Sequence, residues 1–173
     1  MVIRNLVRLI GEALGNNFVN RLQAELPQIW SEFIKSFEGW NLRMTEGVKL
    51  LVTFAMGRLF AEMNKGTQIH EYLQKGRCEG VSFNNGFICL QTSLVRGICE
   101  PVVNGIIQET QSVLVDAKVR GVKYIIMIGE FSKYDILQEE LTTYYEKDGM
   151  RVLIPDEQDL VVLKGAALYG HCK

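Results

Sequence analysis

Apolar residues recur at helical spacing in three successive segments before any β pattern appears. In Val2–Leu14, Ile3, Leu6, Val7, Ile10 and Leu14 share one face, Arg4, Arg8 and Glu12 fall elsewhere, and Gly15 with Asn16 and Asn17 ends the pattern. A second helical stretch, Phe18–Leu26, stops at Pro27, and a third, Gln28–Glu38, sets Ile29, Trp30, Phe33, Ile34 and Phe37 on one side as a core-facing stripe. Val48–Met56, rich in β-branched and aromatic residues after Gly47, predicts the first strand. Arg58–Met63 and Thr67–Gln74 read as short helical turns separated by Asn64, Lys65 and Gly66. Val81–Phe83 and Phe87–Leu90 flank Asn84, Asn85 and Gly86, and Asn-Gly between apolar runs predicts a hairpin. A long helical pattern then runs from Thr92 toward Leu114, with Glu100-Pro101 as a kink or boundary.

The stretch Val122–Gln138 organises the remainder of the chain. Val122, Tyr124, Ile125, Ile126, Met127 and Ile128 make a nearly continuous apolar block, the pattern of a central strand covered on both faces. Gly129 supplies a sharp turn, and Ser132 is positioned to cap a helix carrying Ile136, Leu137 and Leu141. Tyr144–Gly149 reads as a turn and Arg151–Leu153 as a short strand. Pro155 with Asp156 opens a last helix, Asp156–Leu168, expected to pack on the sheet through Leu160, Leu163 and Ala167. Helix, strand, helix, strand, helix in that order implies a parallel pair with a right-handed crossover. A strand, a glycine turn and a helix N-terminus together make a ligand crevice, because such crevices lie beyond the carboxyl ends of strands. A glycine that only makes the turn accounts for the same residues.

Composition narrows the function classes. With 173 residues, 47% hydrophobic and 23% charged, the chain has material for one domain or two small subdomains with a real core. Nineteen basic against twenty acidic residues leave a net charge of −1 with no Lys/Arg cluster, so neither nucleic acid nor a membrane surface is an expected partner. The most apolar window, Val48–Met56, is interrupted by Lys49 and Thr53 and falls far short of the roughly 20 residues that span a bilayer. Arg4 and Arg8 interrupt the first apolar segment, which therefore lacks the core of a signal peptide, and a cytoplasmic location is expected. Cys78, Cys89, Cys99 and Cys172 show no metal-ligand spacing, and with His70 and His171 alone beside them free thiols are expected and a metal site is not. His70 sits among surface-type residues with nothing nearby in sequence to orient it for catalysis.

IMIGEFSKYDILQEEL, followed by RVLIPDEQDLVVLKGAALYGH, resembles the end of the nucleotide-binding domain of the 70-kilodalton heat-shock proteins, and in particular their divergent heat shock 70 kDa protein 12 branch. ICEPVVNGIIQE resembles the family's preceding helix, and FVNRLQAELPQIWSEFIKSFE its entry to the adenine-side subdomain. The resemblance covers nearly the whole chain, most strongly Ser93–His171 and most weakly Arg43–Arg77. It implies an α/β fold, the actin-like ATPase (ribonuclease H-like) second lobe in part. Residues 1–91 would form a helical segment plus an adenine-side α+β subdomain, and residues 92–173 the α/β part that carries the adenosine-binding turn. The family turn falls here on Gly129, Glu130, Phe131 and Lys133, with Glu130 where the family has a second glycine. Glu38, and Asn41 or Arg43, fall where the family supplies polar adenine-side contacts, though Gly39, Trp40 and Asn41 replace most of the basic residues found there. The Pro155-Asp156 turn matches the family's Pro-Asp-Glu, which a proline-led helix cap also explains.

The implied ligand is ATP or ADP. No glycine-rich aspartate motif occurs in the chain, so the resemblance places the phosphate loops and the magnesium site N-terminal to Met1. No ATP hydrolysis is expected of this chain alone. The implied partners are nucleotide and, for a chaperone-like protein, client or co-chaperone proteins. Two other readings stay open: a degenerate lobe kept for protein contact without nucleotide, and an unrelated small α/β enzyme, for which the sequence offers no nucleophile–base pair.

Overall fold

The computed structural model describes residues 2–38, 47–76, 78–116, 121–158 and 160–171. These form two compact units, one within residues 1–100 and one within residues 101–173. Helices and strands are mixed in both.

The first unit begins with α1 (Val2–Leu14), α2 (Asn16–Glu25) and α3 (Pro27–Glu38). Gly15 separates α1 from α2 because its φ of 97° lies where side-chain-bearing residues are strained, so the chain turns there and the two helices pack on each other. Leu6, Ile10 and Leu14 of α1 and Phe18 and Leu22 of α2 are fully buried, as their spacing predicts. β1 spans only Val48–Leu51. The predicted strand Val48–Met56 is shorter than its apolar composition suggests because Thr53 caps a helix, α4 (Phe54–Met63), its Oγ1 accepting from the Met56 N–H at 3.3 Å. A local side-chain cap outcompetes β propensity. α5 (Ile69–Gln74) is entered through a reciprocal capping box between Gln68 and Glu71.

β2 (Val81–Asn84) and β3 (Phe87–Leu90) form the predicted hairpin, with Asn85 at φ 48° and Gly86 at φ 82°, both left-handed as a type I′ turn requires. β3 is the centre of an antiparallel sheet ordered β1-β3-β2. The register aligns Val48 with Leu90 and Val81, and Leu50 with Ile88. These side chains are buried, whereas Lys49 and Ser82 in the alternate row face water. Phe60 ties helices to core through edge-on contacts with Phe18 at 5.0 Å and Tyr72 at 5.1 Å. Gly47 has φ 68°, and a Cβ there would lie 2.3 Å from the Leu90 carbonyl oxygen, so only glycine fits the entry to β1.

α6 (Thr92–Leu114) continues through Pro101, so Glu100-Pro101 does not end the helix; it is the point at which the chain passes from the first compact unit to the second. Its first part buries Val95, Ile98 and Cys99 in the first unit, and its second part supplies Val103 and Ile107 to the core of the second.

In the second unit β4 (Tyr124–Ile126) and β5 (Arg151–Leu153) pair in parallel through α7 (Asp135–Glu146), with Tyr124 opposite Arg151 and Ile126 opposite Leu153. Val103, Ile107, Met127, Leu137, Leu141 and Tyr145 form its core. The expectation of a strand covered on both faces fails: Ile125 and Met127 turn to the core, while Tyr124 and Ile126 are 54% and 60% exposed. Among the described residues the helices cover one face of this sheet, so the continuous apolar run is buried on alternate residues. The last helix also departs from expectation. Residues 156–158 form a turn, α8 spans Val161–His171, and none of its residues is buried. Its apolar residues are distributed around the helix and no single stripe directs it onto the sheet. Among the described residues no helix is long and apolar enough to cross a membrane.

Candidate functional site

The carboxyl end of β4 leads through Met127 and Ile128 into Gly129, whose φ of 97° and ψ of 172° lie in a region open essentially to glycine alone. Two backbone bonds fix the approach: Met127 N–H donates to the Leu153 carbonyl and Gly129 N–H to the Gln158 carbonyl, each at 2.9 Å. The turn is thereby held to the segment after β5. A Cβ built on Gly129 would meet no atom within 4 Å, so its outer side is open to a ligand approaching the backbone.

Glu130–Lys133 form a single 3-10 turn, and this corrects the expected role of Ser132. Its hydroxyl does not cap α7; it is buried and donates to the Gly129 carbonyl at 2.5 Å, in parallel with its own N–H at 3.1 Å. α7 starts at Asp135 after Tyr134, with no side-chain cap and with the Asp135 carboxylate in its first turn, where the helix dipole favours negative charge. The Gln138 amide reaches back to donate to the Ser132 carbonyl at 2.7 Å. Gln138 and the Gln158 backbone thus hold the turn, and nothing in their spacing signals it beforehand.

The four predicted turn residues are brought together because they lie within five successive positions, yet they differ in setting. Gly129 presents backbone. Phe131 packs its half-buried ring against the core and lies 5.0 Å from the Tyr134 ring. Lys133 ends the 3-10 turn, half-buried. Glu130 opens that turn, and its side chain is outside the described atoms. Glu38 closes α3 in the other unit with its side chain likewise outside the description, and Gly39, Trp40, Asn41 and Arg43 lie outside the described residues. Pro155 is followed by the turn at residues 156–158, whose far end is tied by the Leu160 N–H to the Glu157 carbonyl at 2.9 Å and by an ion pair of Lys164 with Glu157.

The other candidates take structural places. His70 is half-exposed, 4.0 Å from the Glu71 carboxylate, with its ring 6.1 Å from that of Phe83. Cys78, Cys89 and Cys99 are free thiols, and Cys172 is outside the described residues. Among the described residues no group of three or more His, Cys, Asp or Glu side chains could hold a metal ion. Burial pushes the Cys99 thiol up to about 11, which suits a packing residue and not a nucleophile. Burial also raises Tyr145, whose hydroxyl donates to the Ile107 carbonyl at 3.1 Å. Tyr145 forms part of an open pocket of about 490 Å³ with Leu114, Met150, Gln111 and Asp148. Met150 directly precedes β5, which places this pocket at the amino ends of the strands, opposite Gly129.

No protein-family model matches the chain, and no solved structure does. Three curated relatives do match, and they are 70-kilodalton heat-shock proteins. They fall in one branch of that class. The chain is similar to human heat shock 70 kDa protein 12B, with 24% identity over 171 residues covering 95% of this chain and 24% of that protein. It is similar to mouse and human heat shock 70 kDa protein 12A, with 21% identity in each case over 168 residues, covering 94% of this chain and 25% of each relative. The resemblance to the heat shock 70 kDa protein 12 branch is borne out along nearly the whole chain, which spans about a quarter of the length of these relatives.

Proposed function

We propose that the second unit carries the adenosine side of a nucleotide site in an actin-like ATPase lobe, with the backbone of Gly129 and the 3-10 turn through Glu130, Phe131 and Lys133 against the nucleoside. The observation that carries this reading is the Gly129 conformation combined with the open space beside it. A glycine-only backbone with a clear outer face is what a close-packed planar ligand needs. The similarity to the heat shock 70 kDa protein 12 relatives supplies the ligand class. The turn fits adenosine as a backbone platform, so the part proposed for this chain is to bind and orient the nucleoside. Chaperone clients and a cytoplasmic setting belong to the same proposal.

Isothermal titration of the 173-residue protein with ADP and ATP in magnesium tests it. Binding in the millimolar range is expected, and Gly129→Val abolishes it while leaving the far-ultraviolet circular dichroism spectrum of the protein largely unchanged. A flat titration on folded protein makes the turn structural and favours a protein-contact module. Glu130→Gly then separates the causes: binding regained by this variant assigns the loss to the carboxylate that stands where the family has glycine.

A further inference from the structure

The freedom that lets Gly129 turn the chain is also a weakness at the proposed nucleoside site. A residue without a Cβ rotates readily about ψ, so the Gly129–Glu130 peptide would swing its carbonyl between inward and outward orientations unless neighbours held it. Backbone and side chains together hold it. The Ser132 hydroxyl and the Ser132 N–H both donate to the Gly129 carbonyl, at 2.5 and 3.1 Å, and Gly129 N–H donates to the Gln158 carbonyl at 2.9 Å. The Gln138 side-chain amide donates to the Ser132 carbonyl at 2.7 Å, reaching back six positions from α7 to its serine. Ser132 is buried, so the oxygen it engages is turned toward the protein. What Gly129 offers outward is its Cα, where an added Cβ would meet nothing within 4 Å.

We propose that Ser132 and Gln138 are positioning residues of this site: the serine locks the Gly129 carbonyl inward, and the glutamine locks the serine. The inference rests on the nucleotide reading and adds to it the residues that set its strength. Neither side chain touches the ligand; both act through the Gly129–Glu130 peptide. With the carbonyl turned outward, an oxygen and its lone pairs would stand where the nucleoside packs against Cα, and that orientation does not bind. Affinity then follows the fraction of molecules whose carbonyl points inward. The Ser132 N–H alone would supply a single 3-10 bond, whose geometry is poorer than that of an α-helical bond. The buried hydroxyl is therefore what makes the inward orientation dominant.

Two variants test the proposal in the 173-residue protein. Ser132→Ala removes the hydroxyl at nearly constant volume, and Gln138→Met keeps the length of the side chain without its donor. Relaxation dispersion of backbone amides reads the peptide directly in the free protein. The Gly129 and Glu130 amides are expected to be quiet in the unsubstituted protein and to show exchange in both variants, while Ile88 in the other unit stays quiet. A variant in which the inward orientation falls to about one tenth binds ADP about tenfold more weakly by calorimetry. Ser132→Thr, which restores the hydroxyl, recovers both readouts. Ile106→Ala loosens the same core away from the turn and leaves ADP affinity within about twofold. Should Ser132→Ala fail to fold, Gln138→Met, at a half-buried position, carries the test alone. Quiet amides and unchanged affinity in the variants, or an equal loss in Ile106→Ala, overturn the inference and leave the nucleotide reading standing. A flat titration of the folded, unsubstituted protein overturns both.

Discussion

The two units use the same kinds of residue and reach different degrees of closure. Of the twelve largest fully buried side chains, Tyr145 alone belongs to the second unit, and the other eleven lie in the first. The first unit sets a three-stranded antiparallel sheet against helices, an arrangement in which one solvated face is acceptable because alternate residues are polar there, as Lys49 and Ser82 are. The second unit has a two-stranded parallel sheet whose solvated face carries Tyr124, Ile126 and Leu153, and a terminal helix with no buried residue. Parallel strands are ordinarily covered on both faces. The difference lies in coverage: among the described residues the first unit buries the apolar row of its sheet and leaves polar residues outside, whereas the second leaves apolar side chains of its strands exposed.

Substitutions should separate the units sharply. The largest effect is expected for Phe60→Ala, which removes a fully buried ring in contact with Phe18 and Tyr72 and costs about 3–5 kcal/mol. Leu163→Ala on α8, where the side chain is 67% exposed, shifts stability by no more than about 0.5 kcal/mol. Urea denaturation followed by intrinsic fluorescence measures both, and similar costs at the two sites would erase the contrast. Gly47→Ala comes next. The new Cβ meets the Leu90 carbonyl at a positive φ, and the backbone strain alone costs about 1–3 kcal/mol; a neutral result would mean that β1 can shift from its observed register.

The smallest expected effect is a pH dependence that sharpens the comparison. Burial raises Cys99 in the first unit from its ordinary 9.0 to about 11. Burial first, then the neighbouring Tyr144 and Asp148, raise Tyr145 in the second above its ordinary 10.0, against a hydrogen bond with Thr110 that lowers it. Each folded-state value lies above the unfolded one, so the folded protein holds these protons more tightly. Stability from Cys99 is fully present below about pH 9 and is lost as pH rises to about 11. The Tyr145 contribution begins to fall only above pH 10. Thermal melts from pH 8 to 11 should therefore show the first unit weakening at the lower pH, and Cys99→Ala should flatten that early loss. An unchanged profile in this variant would place the titrating group elsewhere.

The legible part of the site was the glycine turn itself. An apolar run closing on Gly129 announces a change of direction, and the turn stands where that pattern puts it. The role of Ser132 was not legible, because a serine three residues past a glycine reads equally as a helix cap or as a brace, and only the fold shows its hydroxyl turned back to the Gly129 carbonyl. Gln138 and Gln158 were illegible for a related reason: their contacts join residues that no local periodicity links.

By itself the sequence determined the features that depend on neighbours along the chain. Gly15 had to break α1 from α2, Asn85 and Gly86 had to turn the hairpin, and helical spacing selected the buried faces of α1 to α3, since backbone sterics and side-chain period act locally. The tertiary structure alone decided how far each apolar run was covered. VKLLVTFAM became four residues of strand and the start of a capped helix, Tyr124 and Ile126 were left facing water, and α8 kept its leucines exposed. Burial is a property of what lies opposite a surface, and a one-dimensional pattern records only that the surface is apolar.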